Sequence, residues 1–493
     1  MHFHDHTPAE IDVLVEKSQS AFLQYKNTSL KQRADFMRAI AKQLTAHSAQ
    51  LIQAAMRETH LPESRLQNEL TRTCFQLTSY AAACERGDWL EISIDKDFTD
   101  TQIKPTIKKT KVPLGPVVVF GSSNFPFAYS TAGGDTASAF AAGCTVIVKA
   151  HPAHPETSTI AANCIKLAAS EQHLPEGVFV HIYGTSFDTG KQLVQHPHVK
   201  AVGFTGSYNG GKQLFDWGNQ RSEPIPVFAE MGSVNPVFLL SEKLEAEFTS
   251  IATQYAASIT LGVGQFCTNP GLIFGIESNA LQSFIHDLGK AIKHISPAKM
   301  LHTGIASAYA EKKTEAIMEE GMHLVAESDK APSELEGQPT IATVSGAVFL
   351  ANKKLHQEVF GPYSLVVSCK DYAELLQIAN ELEGQLTATL MASTADLENS
   401  KDLVDIIQLK CGRFILNGVP TGVEVCQSMQ HGGPFPATTD ARFGSVGADA
   451  IKRFARPIAY QNWPDQFLPE ELKDENKLGI YRTINNELTN RSL

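Results

Sequence analysis

The chain has no CxxC pair, no basic segment leading into an apolar leader, no long apolar run, no internal repeat, no low-complexity segment and no excess of basic residues. Each absence removes a class of function. Its eight cysteines (Cys74, Cys84, Cys144, Cys164, Cys267, Cys369, Cys411 and Cys426) follow no framework spacing. That suits reduced thiols in a cytosolic enzyme better than a disulfide scaffold. The net charge of −11 argues against a nucleic-acid-binding surface and gives no attraction to anionic membranes. No apolar run approaches the roughly 20 residues of a membrane span. The start, Met1-His2-Phe3-His4-Asp5-His6, lacks the pattern of a signal peptide, so a cytoplasmic protein is expected. His2, His4 and His6 could ligate a metal, but a solvated, mobile end makes poor fixed geometry, and no metal is expected.

What is present is an ordinary globular composition, 43% hydrophobic and 19% charged over 493 residues. At roughly 150 residues per domain, that length suggests about three units. Residues 8–94 read as helices; Ser29 with Gln32 forms a capping-box signal, and Pro62 marks the first turn of a later helix. Residues 99–112 alternate as an amphipathic strand or hairpin arm. Short apolar strands follow at 117–121, 145–149, 178–182, 201–205 and 226–229, with a helix expected from about Pro126 to Ala142 and another over 155–172. Apolar strands alternating with helices indicate a doubly wound α/β fold. A second α/β unit begins near 233, with strands at 272–276, 364–368 and 413–417. An Asn-Asn turn joins two short terminal strands as a hairpin.

One stretch carries the chemistry. Cys267 lies in the glycine-rich segment Gly262 to Gly271. A thiolate is a strong nucleophile, glycines permit close backbone approach, and a backbone N–H beside the sulfur can bind an oxyanion. The alternative is a structural cysteine in a tight turn. Asn124 follows the strand 117–121, where its amide can donate to an oxyanion or cap the next helix. Glu230 ends a buried strand and can deprotonate water, or form a surface salt bridge. Gly206, Ser207 and Gly211 lie in a strand-to-helix turn suited to a pyrophosphate, although that pattern alone is often just a turn.

Together these stretches resemble the aldehyde dehydrogenase superfamily across nearly the whole chain. The landmarks stand in family order: Asn124-Phe125-Pro126, Lys149, Gly206-Ser207, Glu230, Gly264-Gln265-x-Cys267 and Glu358 to Pro362. The resemblance implies a cysteine nucleophile at Cys267, an oxyanion held by Asn124 and the Cys267 N–H, and water activation by Glu230. It implies that Lys149 binds the adenosine ribose, Ser207 the pyrophosphate and Glu358 the nicotinamide ribose, with Phe360 packing near the nicotinamide. It further implies a cofactor domain (1–98 and 113–232), a catalytic domain (233–465) and an oligomerisation arm (99–112 and 466–493) in a homodimer or homotetramer.

The chain departs from the common pattern with Ser122-Ser123 before the asparagine and Ser233-Val234 after Glu230-Met231-Gly232. Residues 149–155 and 417–425 resemble the α-ketoglutarate-semialdehyde (2,5-dioxovalerate) dehydrogenase branch, and the NADP-linked fatty aldehyde dehydrogenases share much of that pattern. NAD-preferring relatives carry a glutamate at the position of Pro152. With Lys149 and His151 close by, NADP is expected to be preferred and NAD accepted. Phe125, Tyr129 and Ala132 are placed on one helical face of a substrate tunnel. Arg442 and Ser445 are candidates for the distal end of the substrate, or else a surface arginine and a capping serine. The expected activity is oxidation of a small-molecule aldehyde, 2,5-dioxovalerate first. A fatty or general aldehyde dehydrogenase, a CoA-acylating enzyme and a catalytically silent binding protein are the competitors.

Overall fold

The computed structural model describes residues 3–96 and 105–493. His2 and the 99–104 part of the expected arm lie outside the described residues. Four helices open the chain: Pro8–Tyr25, Leu30–Ala46, Ser48–Thr59 and Glu63–Arg86. Ser29 caps the second, taking the Gln32 N–H on its hydroxyl (3.2 Å) while Gln32 Oε1 takes the Ser29 N–H (3.0 Å).

The first sheet has five parallel strands in the order Phe179–Ile182, Val146–Lys149, Val117–Phe120, Ala201–Thr205, Val227–Glu230. In chain order this is 3-2-1-4-5, the doubly wound pattern. Successive strand residues point to opposite faces. Val117 and Val119 therefore join one core with Phe36 and Phe140, while Val118 joins a second with Ile147 and Val202. Each such side chain, fully buried, contributes about 1.5–3 kcal/mol. Lys149, Gly206, Glu230 and the turn bearing Asn124 all fall at carboxyl ends of these strands, where α/β sheets bind ligands.

The second sheet runs His323–Glu327, Thr340–Ser345, Tyr363–Cys369, Leu272–Ile276, Val237–Leu239, Gln385–Met391, Cys411–Leu416. Only the first of these pairs antiparallel. Gln385–Met391 is buried at every residue, as a parallel strand covered on both faces must be.

A third sheet joins Ala455–Gln461, Ile107–Pro113, Ser93–Asp95, Arg482–Ile484 and Glu487–Thr489. Its hairpin turn has Asn485 and Asn486 at φ 51° and 68°, as a two-residue hairpin turn requires. Ala455–Gln461 falls inside the range 233–465 expected for the catalytic unit, yet it pairs with Ile107–Pro113. The chain crosses back just before it, where the Leu114 N–H donates to Phe454 O (3.0 Å).

The helix expected from Pro126 begins only at Gly134. The chain folds back first: Gly134 N–H donates to Ala128 O (3.1 Å), and Glu69 Oε1 takes the N–H groups of Phe127 (2.8 Å) and Ala128 (3.0 Å). A side chain at Gly133 would meet Ala128 O at 2.4 Å. Phe125, Tyr129 and Ala132 thus share no helical face. Phe125 and Tyr129 reach a cavity through the turn, whereas Ala132 is buried in the core.

Candidate active site

Cys267 sits in the turn between the helix Ser241–Thr260 and the strand Leu272–Ile276. Gly262, Val263 and Gly264 approach it with φ of 55°, 58° and 66°. Such a backbone is natural for glycine and strained for β-branched Val263. It brings Gly264 so near the neighbouring loop that a Cβ there would lie 2.2 Å from Gly361 O. The Cys267 turn therefore rests directly on the loop Glu358 to Pro362. From the other side, buried Asn235 donates through Nδ2 to the carbonyls of Cys267 and Asn269, each at 2.9 Å. Its Oδ1 lies 3.0 Å from the hydroxyls of both Ser233 and Thr387. Ser233 also takes the Leu386 N–H (3.0 Å), which gives the unusual serine a use: it ties this turn to the second sheet.

Glu230 is 3% exposed and His431 is fully buried. Ser445 donates its hydroxyl to Glu230 Oε2 at 2.7 Å. His431 Nε2 lies 3.0 Å from Glu230 Oε1 and 3.7 Å from Cys267 Sγ. Crowded glycines hold His431 there. A Cβ on Gly433 would meet Gln385 O at 2.1 Å, and one on Gly412 would meet Gly432 O at 2.0 Å. The ligating atoms of Glu230, Cys267 and His431 all lie within 4.8 Å of one another, so a thiophilic ion would compete for this same cluster.

Burial pushes the Cys267 thiol well above its ordinary range, and the charges of Glu230 and Glu358 push it further. Burial also raises Glu230, but His431, Ser445 and Arg453 outweigh it and hold the carboxyl below its ordinary value. Burial pushes Glu358 up to about 7 against the opposing charge of Lys312.

Two cavities meet at Cys267. One, of about 540 Å³, is lined by Asn124, Lys149, His151, Pro152, Gly206, Ser207, Glu230, Glu358 and Phe360. Asn124 Nδ2 donates to Gln265 O (3.2 Å), which fixes its amide within the cysteine loop. Ser207 caps the helix Tyr208–Asn219, taking the Gly210 N–H at 3.3 Å, and the helix start faces the cavity. Gly211 does not line it; a Cβ there would strike Met231 Cγ at 2.5 Å, so this glycine serves helix–sheet packing. The second cavity, of about 590 Å³, carries Phe125, Tyr129, Phe266, Arg72 and Thr268.

The structure moves both distal-end candidates. Arg442 is exposed and pairs with Asp440 at 2.5 Å, away from the cavity walls. Ser445 is buried, with its hydroxyl directed at Glu230 Oε2, and does not line either cavity that holds Cys267. His431, Asn235 and Arg72 escaped the sequence reading. Only His431 left a trace, a histidine beside the Gly432-Gly433-Pro434 run.

The chain is similar to several known proteins. "Alpha-ketoglutaric semialdehyde dehydrogenase" of Acinetobacter baylyi is 43% identical over 99% of this chain and 93% of its own length. "Alpha-ketoglutaric semialdehyde dehydrogenase 2" of Azospirillum brasilense is 44% identical over 96% and 91%. Among solved structures, a betaine aldehyde dehydrogenase variant from Staphylococcus aureus superposes with TM-score 0.79 at 18% identity, covering 94% of this chain and 91% of that one. A glyceraldehyde-3-phosphate dehydrogenase from Bacillus halodurans, complexed with NADP, does so with TM-score 0.78 at 19% identity over 92% and 91%. These two share the fold. The aldehyde dehydrogenase family profile matches residues 1–450, and the chain belongs to that family.

Proposed function

We propose that the protein oxidises an aldehyde to a carboxylic acid with NADP or NAD, and that its aldehyde is 2,5-dioxovalerate, yielding 2-oxoglutarate. The observation that carries the reaction is the cluster of Cys267, Glu230 and His431 where the two cavities meet. The substrate rests on the two relatives, similar over nearly the whole chain, that are named for α-ketoglutaric semialdehyde.

The first cavity fits a dinucleotide: a helix start for a pyrophosphate, Lys149 for the adenosine end, and Glu358 and Phe360 for the nicotinamide end. Bound there, the nicotinamide supplies the two-electron oxidant. Cys267 adds its sulfur to the aldehyde carbon. The Asn124 amide and the Cys267 N–H receive the oxyanion. Oxidation of that adduct leaves a thioester on Cys267. Glu230, held by Ser445 and His431, takes a proton from water, and the water oxygen displaces the sulfur to release the acid. A carboxylate held in this way favours hydrolysis over transfer to CoA.

In this reading the first sheet binds cofactor, the second carries the chemistry, and the third pairs subunits in a homodimer or homotetramer. All eight cysteines are unbridged, which supports a cytoplasmic enzyme. Among the described residues no helix is long and apolar enough to cross a membrane. The test is reduced-nicotinamide formation, without CoA, from 2,5-dioxovalerate, succinate semialdehyde and a long-chain aldehyde. The highest kcat/KM is expected with 2,5-dioxovalerate and NADP. A long-chain preference would overturn the substrate, and no turnover with any aldehyde would overturn the reaction.

A further inference from the structure

We propose that Arg72 recognises the carboxylate at the far end of the substrate, an inference that rests on the semialdehyde reading above. Asn68, Thr71, Arg72 and Phe75 recur at helical spacing on Glu63–Arg86 and line one wall of the substrate cavity, with Cys267 among its other lining residues. Among the described residues, Arg72 is the one cation on those walls. Its Nη1 is shut off from solvent and has no partner. Its Nη2 makes only long contacts, 3.4 Å to the Tyr129 hydroxyl and 3.3 Å to Val423 O.

Nearby carboxylates do not answer that cation. Glu69 lies 3.6 Å from Arg65 and takes the N–H groups of Phe127 and Ala128. Glu424, the one carboxylate lining the cavity, is exposed to water, and among the described residues no ion pair joins Arg72 to any acid. A half-buried guanidinium on the wall of the cavity that also holds the Cys267 thiol, with its Nη2 held only by long contacts, is a ready partner for a carboxylate.

The other arginines near Cys267 are tied to the protein through their terminal nitrogens or against aromatic rings, and Arg413 keeps only its buried Nε without a partner. Arg413 donates to Gly422 O (2.8 Å) and Pro420 O (2.5 Å), holding the loop that carries Val423. Arg65 stacks against Phe125 and Phe266, with its guanidinium 4.7 and 4.9 Å from the ring centres. The aldehyde end of a five-carbon semialdehyde would then meet Cys267 while its acid end meets Arg72, and an unsubstituted aldehyde of equal length would gain nothing from the arginine.

The experiment compares the parent enzyme with Arg72→Met and Arg72→Lys on 2,5-dioxovalerate and on pentanal, with glutarate as competitive inhibitor. Arg72→Met is expected to raise KM for 2,5-dioxovalerate and Ki for glutarate by about 30- to 100-fold, with kcat held within about threefold. Its kcat/KM for pentanal should stay at the parent value, and Arg72→Lys should recover part of the loss. Equal losses on both aldehydes in both variants would mark Arg72 as packing alone and overturn the proposal. So would an unchanged KM in a parent that oxidises 2,5-dioxovalerate well. A parent that prefers pentanal and ignores glutarate would overturn the semialdehyde reading, and this inference with it.

Discussion

Nε2 of His431 lies 3.7 Å from the sulfur of Cys267 and 3.0 Å from Oε1 of Glu230. One ring nitrogen thus stands within reach of both the proposed nucleophile and the proposed base. A proton on Nε2 can orient Glu230 or steady the sulfur as a leaving group. His431→Gln is expected to lower kcat by about 100-fold, the range of a lost acid–base partner, and to leave NADP affinity intact. A kcat within about threefold of the parent would remove His431 from the mechanism.

Ser445→Ala takes away the 2.7 Å donor to Glu230. That bond favours the charged carboxylate, so its loss raises the Glu230 pKa. Glu230 must be ionised to take a proton from water. The acid limb of the kcat–pH profile should therefore move to higher pH, with a smaller change at alkaline pH. A profile displaced downwards at every pH, without a shift, would contradict this role.

Cys267 should be a slow nucleophile in the free enzyme, because burial and then the charges of Glu230 and Glu358 disfavour its thiolate. Alkylation by iodoacetamide should still be accelerating as pH passes the ordinary thiol range. Glu230→Gln removes one of those charges, so alkylation at neutral pH should speed up even as aldehyde turnover is lost. Slower alkylation in this variant would mean that Glu230 activates the thiol instead. Cys267→Ala should abolish turnover while NADP still binds.

Asn235→Ala strips the amide from two carbonyls of the nucleophile turn, those of Cys267 and Asn269. Leaving buried acceptors unpaired costs about 1–3 kcal/mol each, so a loss of about 2–6 kcal/mol is expected in chemical denaturation. Activity should fall with it as the turn loosens. Full stability would show that the turn is held by the Gly264–Gly361 packing alone.

Lys149 is the cation expected to meet a 2′-phosphate. Burial lowers its pKa, with Asp5 opposing. His151 is less suited: burial holds its imidazole well below the ordinary range, and its Nδ1 takes the Ala153 N–H at 3.1 Å. Lys149→Met should raise KM for NADP by about tenfold and KM for NAD far less. With His151 neutral throughout, KM for NADP should be flat between about pH 6 and 8. A rise across that window would return His151 to the phosphate.

Much of the architecture is local enough to be read in advance. The strand Ala201–Thr205, the capping box at Ser29 and the Asn485-Asn486 turn follow from short-range preferences that the fold did not override. The helix expected from Pro126 starts only at Gly134 because a distant carboxylate, Glu69, takes the N–H groups of Phe127 and Ala128 and the chain bends before Gly133. The sequence by itself determined the doubly wound class, the family, and the segments that carry Cys267, Glu230 and Asn124, because apolar patterning and strand-to-helix turns act over a few residues. Only the tertiary structure decided which residues complete the site. His431 stands 164 positions from Cys267, Ser445 stands 215 from Glu230, and Arg72 comes from an N-terminal helix. Their roles depend on burial and on partners brought together by packing, and neither is written in the neighbouring residues.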